Sequence, residues 1–253
     1  MDIASYFERI GLVHDAAEPL GAELLFKLQY AHVTNVPYEN ADIVRGVPLS
    51  LDTERLYEKI ARNRRGGYCF ELNGLFGELL RRVGFDVKAE YFARFLRGEK
   101  TIPMRRHRVL HVAADGCDFI CDVGIGNVAP RTPLILEEGI VQRQFGETYR
   151  FRKDSFLGWV LEELHKDSWR DVYSFTEEPQ LEVDFEAVSF FCERHESSPF
   201  NKEWMFSIKT ENGRKTLDGN IFKVFCGSEP VKVTEIDPKD IPTVMKDVFG
   251  IAL

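Results

Sequence analysis

Apolar residues in the first third of the chain recur every three or four positions. From Ala17 to Val33 one face carries Leu20, Leu24, Leu25, Leu28 and His32, which predicts a helix stopping before Asn35-Val36-Pro37. Ser50 or Asp52 can cap a second helix through Leu56, Ile60 and Ala61, with Glu54 in its first turn. A third follows Arg65-Gly66-Gly67-Tyr68-Cys69, where Phe70, Asn73, Phe76, Gly77 and Leu80 share helical spacing, Arg81 and Arg82 occupy the last turn and Gly84 is the stop. Residues 1–84 therefore read as a helical bundle.

After Gly84 the period falls to two. Val87, Ala89, Tyr91, Ala93 and Phe95 alternate with the residues between them, which predicts a strand. Arg106 to Ala113 and Asp118 to Val123 are further strands, joined across Asp115-Gly116, a strong hairpin signal. Short strands are also expected at Val141–Phe145, Glu147–Phe151 and Trp159–Glu163, so residues 85–184 read as an antiparallel sheet or barrel. Residues 185–253 are mixed, with a turn at Ser197–Phe200, strands at Trp204–Thr210 and Lys215–Asp218, and a last helix from Asp240 to Phe249. No long Gly/Ser or charged linker separates the parts, which predicts close packing.

Composition narrows the function. With 44 % hydrophobic residues and 20 Phe the chain can bury a large core, and its net charge of −8 argues against nucleic acid as a main partner. The charged start, Met1 to Arg9, lacks the apolar segment of a signal peptide, and no uncharged run approaches bilayer length. A cytoplasmic protein without membrane partners is the expectation. Five cysteines, an odd number with no CxxC pair, fit reduced thiols better than disulfides. Cys117 and Cys121 lack the companions a zinc site needs, so no metal is expected.

One cysteine stands in a distinctive place. Cys69 falls in the first turn of its predicted helix, beside unpaired backbone N–H groups and the positive end of the macrodipole, both of which favour thiolate. A nucleophile also needs a base and a group to orient it. If Asp115 and Gly116 are the two loop residues of a type I′ hairpin, Ala114 pairs with Cys117 and Asp122 falls opposite Val109. His107, His111 and Asp122 then share one face, with Asp122 diagonal to both histidines. The spacing supplies a carboxylate–imidazole pair and leaves two histidines to choose from.

These residues resemble the arylamine N-acetyltransferases. The resemblance is carried by Arg65-Gly66-Gly67-Tyr68-Cys69-Phe70-Glu71-Leu72-Asn73, then His107-Arg108-Val109-Leu110 and Asp122-Val123-Gly124-Ile125-Gly126. Pro37-Tyr38-Glu39-Asn40 is similar to the family's Pro-Phe-Glu-Asn segment, and the likeness runs in order over nearly the whole chain. It implies an α+β fold of three parts: an N-terminal helical bundle, a central antiparallel β-barrel and a C-terminal α/β lid over 185–253. It also implies a triad of Cys69, His107 and Asp122, which selects His107 over His111.

The implied activity is acetyl transfer from acetyl-CoA, the co-substrate, to small arylamines, hydrazines or N-hydroxyarylamines through a Cys69 thioester. Tyr38, Phe70, Ile125 and Asn127 are the expected lining of the amine pocket. Gly124 is a candidate for the acyl-CoA side through a backbone N–H. Lys100 and Arg105 stand in a locally basic stretch (Arg94, Arg97, Lys100, Arg105, Arg106, Arg108) suited to CoA phosphates. Three departures from the family are visible. Leu72 replaces a Gln or His, Ile125 stands where Phe is common, and the family's Ser-Thr-x-Pro-x-Ser-x-Phe element survives only as His195, Ser198 and Phe200, with Glu193, Arg194 and Glu196 altering its chemistry. Ile125 predicts a different or roomier amine pocket. Thiol hydrolases and transglutaminase-like enzymes use the same residue order, and a family branch making amides of larger acyl groups is a further alternative. A non-catalytic scaffold would show no thiol more reactive than the rest.

Overall fold

The computed structural model describes residues 1–253 apart from 14 and 16. The N-terminal part contains α1 (Ile3–Arg9), α2 (Ala22–Asn35), a two-residue strand β1 (Tyr38–Glu39), α3 (Ala41–Val44) and α4 (Thr53–Tyr57), which runs on as a π-helix over Glu58–Arg62. Helix α5 (Cys69–Val83) closes it with left-handed Gly84 as its stop. Of the two expected caps, Asp52 takes the N–H of Arg55, while Ser50 accepts only that of Asp52. Helix α2 begins five residues later than its pattern predicts. Pro19, Leu20 and Gly21 precede it, and Leu20 is exposed.

Eight antiparallel strands follow: β2 (Asp86–Phe95), β3 (His107–Ala114), β4 (Cys117–Cys121), β5 (Leu134–Ile135), β6 (Gln142–Gln144), β7 (Glu147–Asp154), β8 (Gly158–His165) and β9 (Ser168–Phe175). Their order, β5-β4-β3-β2-β9-β8-β7-β6, curls into a nearly closed barrel. Side chains bridge the remaining gap. The Gln142 amide makes both hydrogen bonds to the backbone of Ile135, and Gln144 does the same to Thr132, at 2.7–3.1 Å. Two glutamines thus satisfy backbone groups that a missing strand would leave open. The β3–β4 hairpin has the expected register, Ala114 against Cys117 and Leu110 against Cys121, over left-handed Asp115 and Gly116.

The third part is α6 (Glu182–Arg194), then β10 (Met205–Thr210), β11 (Gly213–Asp218), β12 (Ile221–Cys226), β13 (Glu229–Glu235) and α7 (Ile241–Phe249). Strand β1 pairs with the edge of this second sheet, Tyr38 against Ser207, and ties the N-terminal part to the C-terminal one. The cations of the polar links across the parts are buried. Arg131 meets Glu147 at 2.6 Å and donates to the carbonyls of Thr210 and Gly213, and Lys209 reaches the same carboxylate at 3.0 Å. Arg108 is sealed between Glu90 and Glu182, its guanidinium 4.4 Å from the Phe185 ring centroid. A buried cation is tolerated only when paired, so these links position the three parts closely. No helix of the described residues is long and apolar enough to cross a membrane.

Candidate active site

The site begins at Gly66 and Gly67. A Cβ on Gly66 would sit 2.1 Å from the Pro37 carbonyl oxygen, and Gly67 accepts the N–H of Glu39 at 2.9 Å. Only a bare backbone lets the segment before α5 lie this close to Pro37-Tyr38-Glu39. Arg65 binds Glu39 at 2.7 Å and Asp42 at 3.0 Å, and Lys59 binds Asp42 and Glu71. Glu71 in turn accepts the N–H of Tyr68 at 3.1 Å, which fixes the first turn of α5. Asn40 reaches the other way, to the carbonyls of Phe200 and Glu203 and the N–H of Met205.

Cys69 is the first residue of α5 and is buried. Its thiol points at the carbonyl of Arg106, 3.6 Å away, at the residue before His107. One turn on, Asn73 donates to Asp122 Oδ1 at 2.9 Å and to the Arg108 carbonyl at 2.6 Å, and accepts the Val123 N–H at 2.8 Å. Asp122 also accepts the Gly124 N–H at 2.9 Å and stands 2.6 Å from His107 Nε2. A Cβ on Gly124 would fall 2.8 Å from the Cys69 Cα, so the Asp122–Gly124 turn lies directly on the start of α5. The structure thus brings Cys69, His107 and Asp122 into one buried neighbourhood.

The hydrogen bonds assign the imidazole. A carboxylate only accepts, so His107 Nε2 carries the proton it shares with Asp122 and Nδ1 is left as the basic nitrogen. That Nδ1 is buried and has no hydrogen-bond partner among the described residues. Phe95 and Tyr173 hold the ring, with centroids 4.8 and 5.6 Å away. The thiol differs from its sequence expectation. Burial pushes the Cys69 pKa up, and nearby Cys192 and Asp122 push it the same way, while the N–H groups of Phe70 and Cys69 oppose them. The helix start does favour thiolate, but in the closed site desolvation outweighs it.

A cleft of about 400 Å³ opens beside this neighbourhood, lined by Tyr38, Ile125 and Asn127 with Arg106, Phe200 and Ser207 among others. Three expected pocket residues are therefore in its wall. Phe70 is not: it is fully buried against Tyr68, Phe92 and Phe185. Gly124 is at the cysteine, but its N–H is committed to Asp122 and is not free to bind a developing oxyanion. Lys100 is exposed on the β2–β3 loop, and Arg105 is paired with Glu178 at 3.2 Å and Thr176 at 3.1 Å. Neither lines the cleft. The basic stretch is largely neutralised, since Arg97, Arg106 and Arg108 also have carboxylate partners. In the altered lid segment Glu193 is buried and accepts the Leu49 N–H at 3.2 Å, and Ser198 accepts that of Phe200.

Gln29, on α2, accepts the Asp122 N–H at 3.1 Å and donates to the Pro130 carbonyl. Sequence reasoning missed it, as it missed Phe95 and Tyr173; no local pattern connects them to His107 or Asp122.

Comparisons with known proteins show what the chain as a whole is similar to. The N-acetyltransferase family model matches residues 22–253. An arylamine N-acetyltransferase of Mycolicibacterium smegmatis is 34 % identical over 258 residues, spanning 100 % of this chain and 93 % of that protein. A Salmonella typhimurium protein named arylamine N-acetyltransferase / N-hydroxyarylamine O-acetyltransferase is 30 % identical over 256 residues, 98 % of this chain and 88 % of its own. A Salmonella typhimurium arylamine N-acetyltransferase structure superposes with a TM-score of 0.93 at 29 % identity, covering 98 % of this chain and 90 % of that one. The Mycobacterium marinum arylamine N-acetyltransferase in complex with CoA superposes at 0.90, with 31 % identity over 99 % of this chain and 93 % of that one.

Proposed function

The chain belongs to the arylamine N-acetyltransferase family, and on that footing we propose that it moves an acetyl group from acetyl-CoA to an arylamine or arylhydrazine, or to the oxygen of an N-hydroxyarylamine, in two steps through Cys69. The observation that carries this is the free, buried Nδ1 of His107, oriented by Asp122 beside the residue the thiol touches. Cys69 passes its proton to His107 Nδ1 and the sulfur attacks the acetyl carbonyl. The tetrahedral adduct collapses, CoA leaves with the proton from His107, and a thioester remains. An arylamine is neutral at pH 7 and arrives nucleophilic. It attacks the thioester, His107 takes its proton, and the Cys69 thiolate is expelled.

Asp122 supports the imidazolium in both steps and is itself held by Asn73, Gln29 and Gly124. Tyr38, Ile125 and Asn127 shape the acceptor cleft, with Ile125 widening it where family members carry Phe. Lys100 and Arg105 attract the CoA phosphates; the Arg105–Glu178 pair is exposed enough to yield to a phosphate. In this reading residues 1–84 carry the nucleophile, 85–184 the base and its orienter, and 185–253 the lid, and the enzyme works in the cytoplasm. Incubation with acetyl-CoA should add one acetyl group to Cys69, detected by peptide mass, and removal of CoA followed by an arylamine should discharge it. A chain that stays unacetylated, or that loses the acetyl group to water at the same rate with and without amine, is not this enzyme.

A further inference from the structure

Tyr38 departs from the segment it resembles, Pro-Phe-Glu-Asn, by one hydroxyl group. Its backbone bridges to Gly67, where the Glu39 N–H donates to the Gly67 carbonyl at 2.9 Å, so Tyr38 lies alongside the approach to α5. A Cβ on Gly126 would come 3.4 Å from the Tyr38 Cγ, which places the ring over that glycine. Four of the apolar and aromatic residues lining the cleft of about 400 Å³, Tyr38, Phe95, Phe200 and Met205, also belong to the cluster packed around Cys69. Tyr38 is the one of the four that carries a donor. Its hydroxyl makes no hydrogen bond among the described residues, whereas that of neighbouring Tyr68 is committed to Ser189 at 2.5 Å. Burial, and then the nearby Cys69, raise the Tyr38 pKa, so the group stays a protonated donor.

The reaction creates a need for such a donor. When the Cys69 sulfur attacks an acetyl carbonyl, an electron pair moves onto the carbonyl oxygen, and that charge is stabilised by donors aimed at it. The backbone around the cysteine supplies few. The N–H groups of Cys69 and Phe70 face the sulfur, and the Gly124 N–H is held by Asp122. The arginines of the cleft are turned to carboxylates, Arg97 to Glu163 at 2.6 Å and Arg106 to Glu99 at 2.9 Å.

We propose that Tyr38 is a further catalytic residue, whose hydroxyl donates a hydrogen bond to the acyl oxygen as it becomes negative in the tetrahedral adduct on Cys69. It does so when acetyl-CoA is attacked and again when the amine attacks the thioester. The tyrosine keeps its proton throughout. The electron pair that reaches the oxygen as the new bond to carbon forms returns as the bond to the leaving sulfur breaks. The proposal rests on the acyl-transfer reading of Cys69.

Tyr38→Phe tests it by removing one oxygen and keeping the ring. The first readout is the rate of the CoA burst from acetyl-CoA before any amine is added, which excludes contacts with the acceptor. At saturating acetyl-CoA this rate should fall about tenfold or more, as expected for one donor to a developing oxyanion. The acetyl-CoA concentration giving half the maximal rate should change less than about twofold, because the neutral carbonyl gains little from the donor. Discharge of the acetyl-enzyme by saturating arylamine should slow by a similar factor. Iodoacetamide supplies the control, since it alkylates the thiol at a saturated carbon and builds no oxyanion; its rate at Cys69 should stay within about twofold. An unchanged burst rate, a burst and an alkylation that fall together, or a loss confined to the amine step would each overturn the proposal. A wild-type protein whose Cys69 is alkylated but which releases no CoA burst would defeat the acyl-transfer reading itself, and the proposal with it.

Discussion

The β3–β4 hairpin carries two histidine–aspartate pairs, and they behave differently. His107 Nε2 lies 2.6 Å from Asp122 and His111 Nε2 lies 2.9 Å from Asp118, each a diagonal neighbour across the same hairpin. Both rings therefore carry their proton on Nε2 and present Nδ1 as the basic nitrogen. At His111 that nitrogen is occupied by the Tyr91 hydroxyl at 2.9 Å, and burial raises the Tyr91 pKa to about 12, which keeps the hydroxyl protonated as the donor. Asp118 is half-exposed and shared with Lys88 at 2.6 Å. At His107 the corresponding nitrogen is unoccupied and the carboxylate is buried. A carboxylate beside an imidazole is common to both; only His107 has its other nitrogen vacant among the described residues and follows the residue that the thiol touches. In the proposed mechanism that vacancy is what lets His107 act as the base.

Exchanging the histidines puts the comparison at greatest risk. His107→Gln should lower amine-dependent CoA release about a thousandfold or more, while His111→Gln should stay within about twofold. Comparable losses from the two would erase the distinction. The carboxylates come next. Asp122→Asn should cost about a hundredfold to ten-thousandfold in kcat/KM, because the amide can donate to Nε2 and stabilise the wrong tautomer. Asp118→Asn, at a half-exposed carboxylate serving a filled ring, should leave kcat/KM nearly unchanged.

Sequence reached the first half of this comparison and not the second. Asp115-Gly116 announces its hairpin because both residues must adopt positive φ, and from that register both histidines and Asp122 follow. The Lys166-Asp167 turn between β8 and β9 also has two positive φ values, but without glycine it carries no such signal, and β9 went unpredicted. Helix α6 was hidden for a different reason. Its buried stripe includes Phe185, Ser189 and Cys192, while Val183 and Phe190 face solvent, so its apolar residues are divided between the packed face and the exposed one. Tyr91, which fills His111, sits on β2, whose register slips at a bulge between Val87 and Ala89. Gln29 is 93 residues from Asp122, whose backbone N–H it accepts. Occupancy of a ring nitrogen is a tertiary fact, and no spacing rule encodes it.

Asn73 sharpens the comparison further, since only the His107 pair has such a brace. Its amide joins Asp122, the Arg108 carbonyl and the Val123 N–H. Asn73→Ala would leave the last two unpaired and cost about 1–3 kcal/mol of stability. A loosened Asp122 should also lower kcat/KM by up to about a hundredfold, since small misplacements near the reacting atoms are expensive. Chemical denaturation separates positioning from simple destabilisation: kcat/KM should stay low under conditions in which the variant is fully folded. A variant whose kcat/KM recovers in full once it is folded would assign Asn73 a packing role alone.

His32 supplies the control that neither hairpin histidine can, a buried ring with no carboxylate. Its Nδ1 meets the Tyr6 hydroxyl at 2.9 Å, it packs 5.4 Å from the Phe76 centroid, and Nε2 is buried without a partner among the described residues. Burial and the Arg9 charge push its pKa down to about 3, from the ordinary value of 6.5. The folded state therefore keeps His32 neutral where the unfolded chain takes up a proton. Its contribution to stability is complete above pH 6.5 and is lost as the pH falls from there towards 3. Between pH 7.5 and 5.5 the wild type should lose about 1 kcal/mol that His32→Gln, which does not titrate, retains. Urea titrations of both proteins at the two pH values measure this. Parallel losses would mean that the acid sensitivity arises elsewhere than at His32.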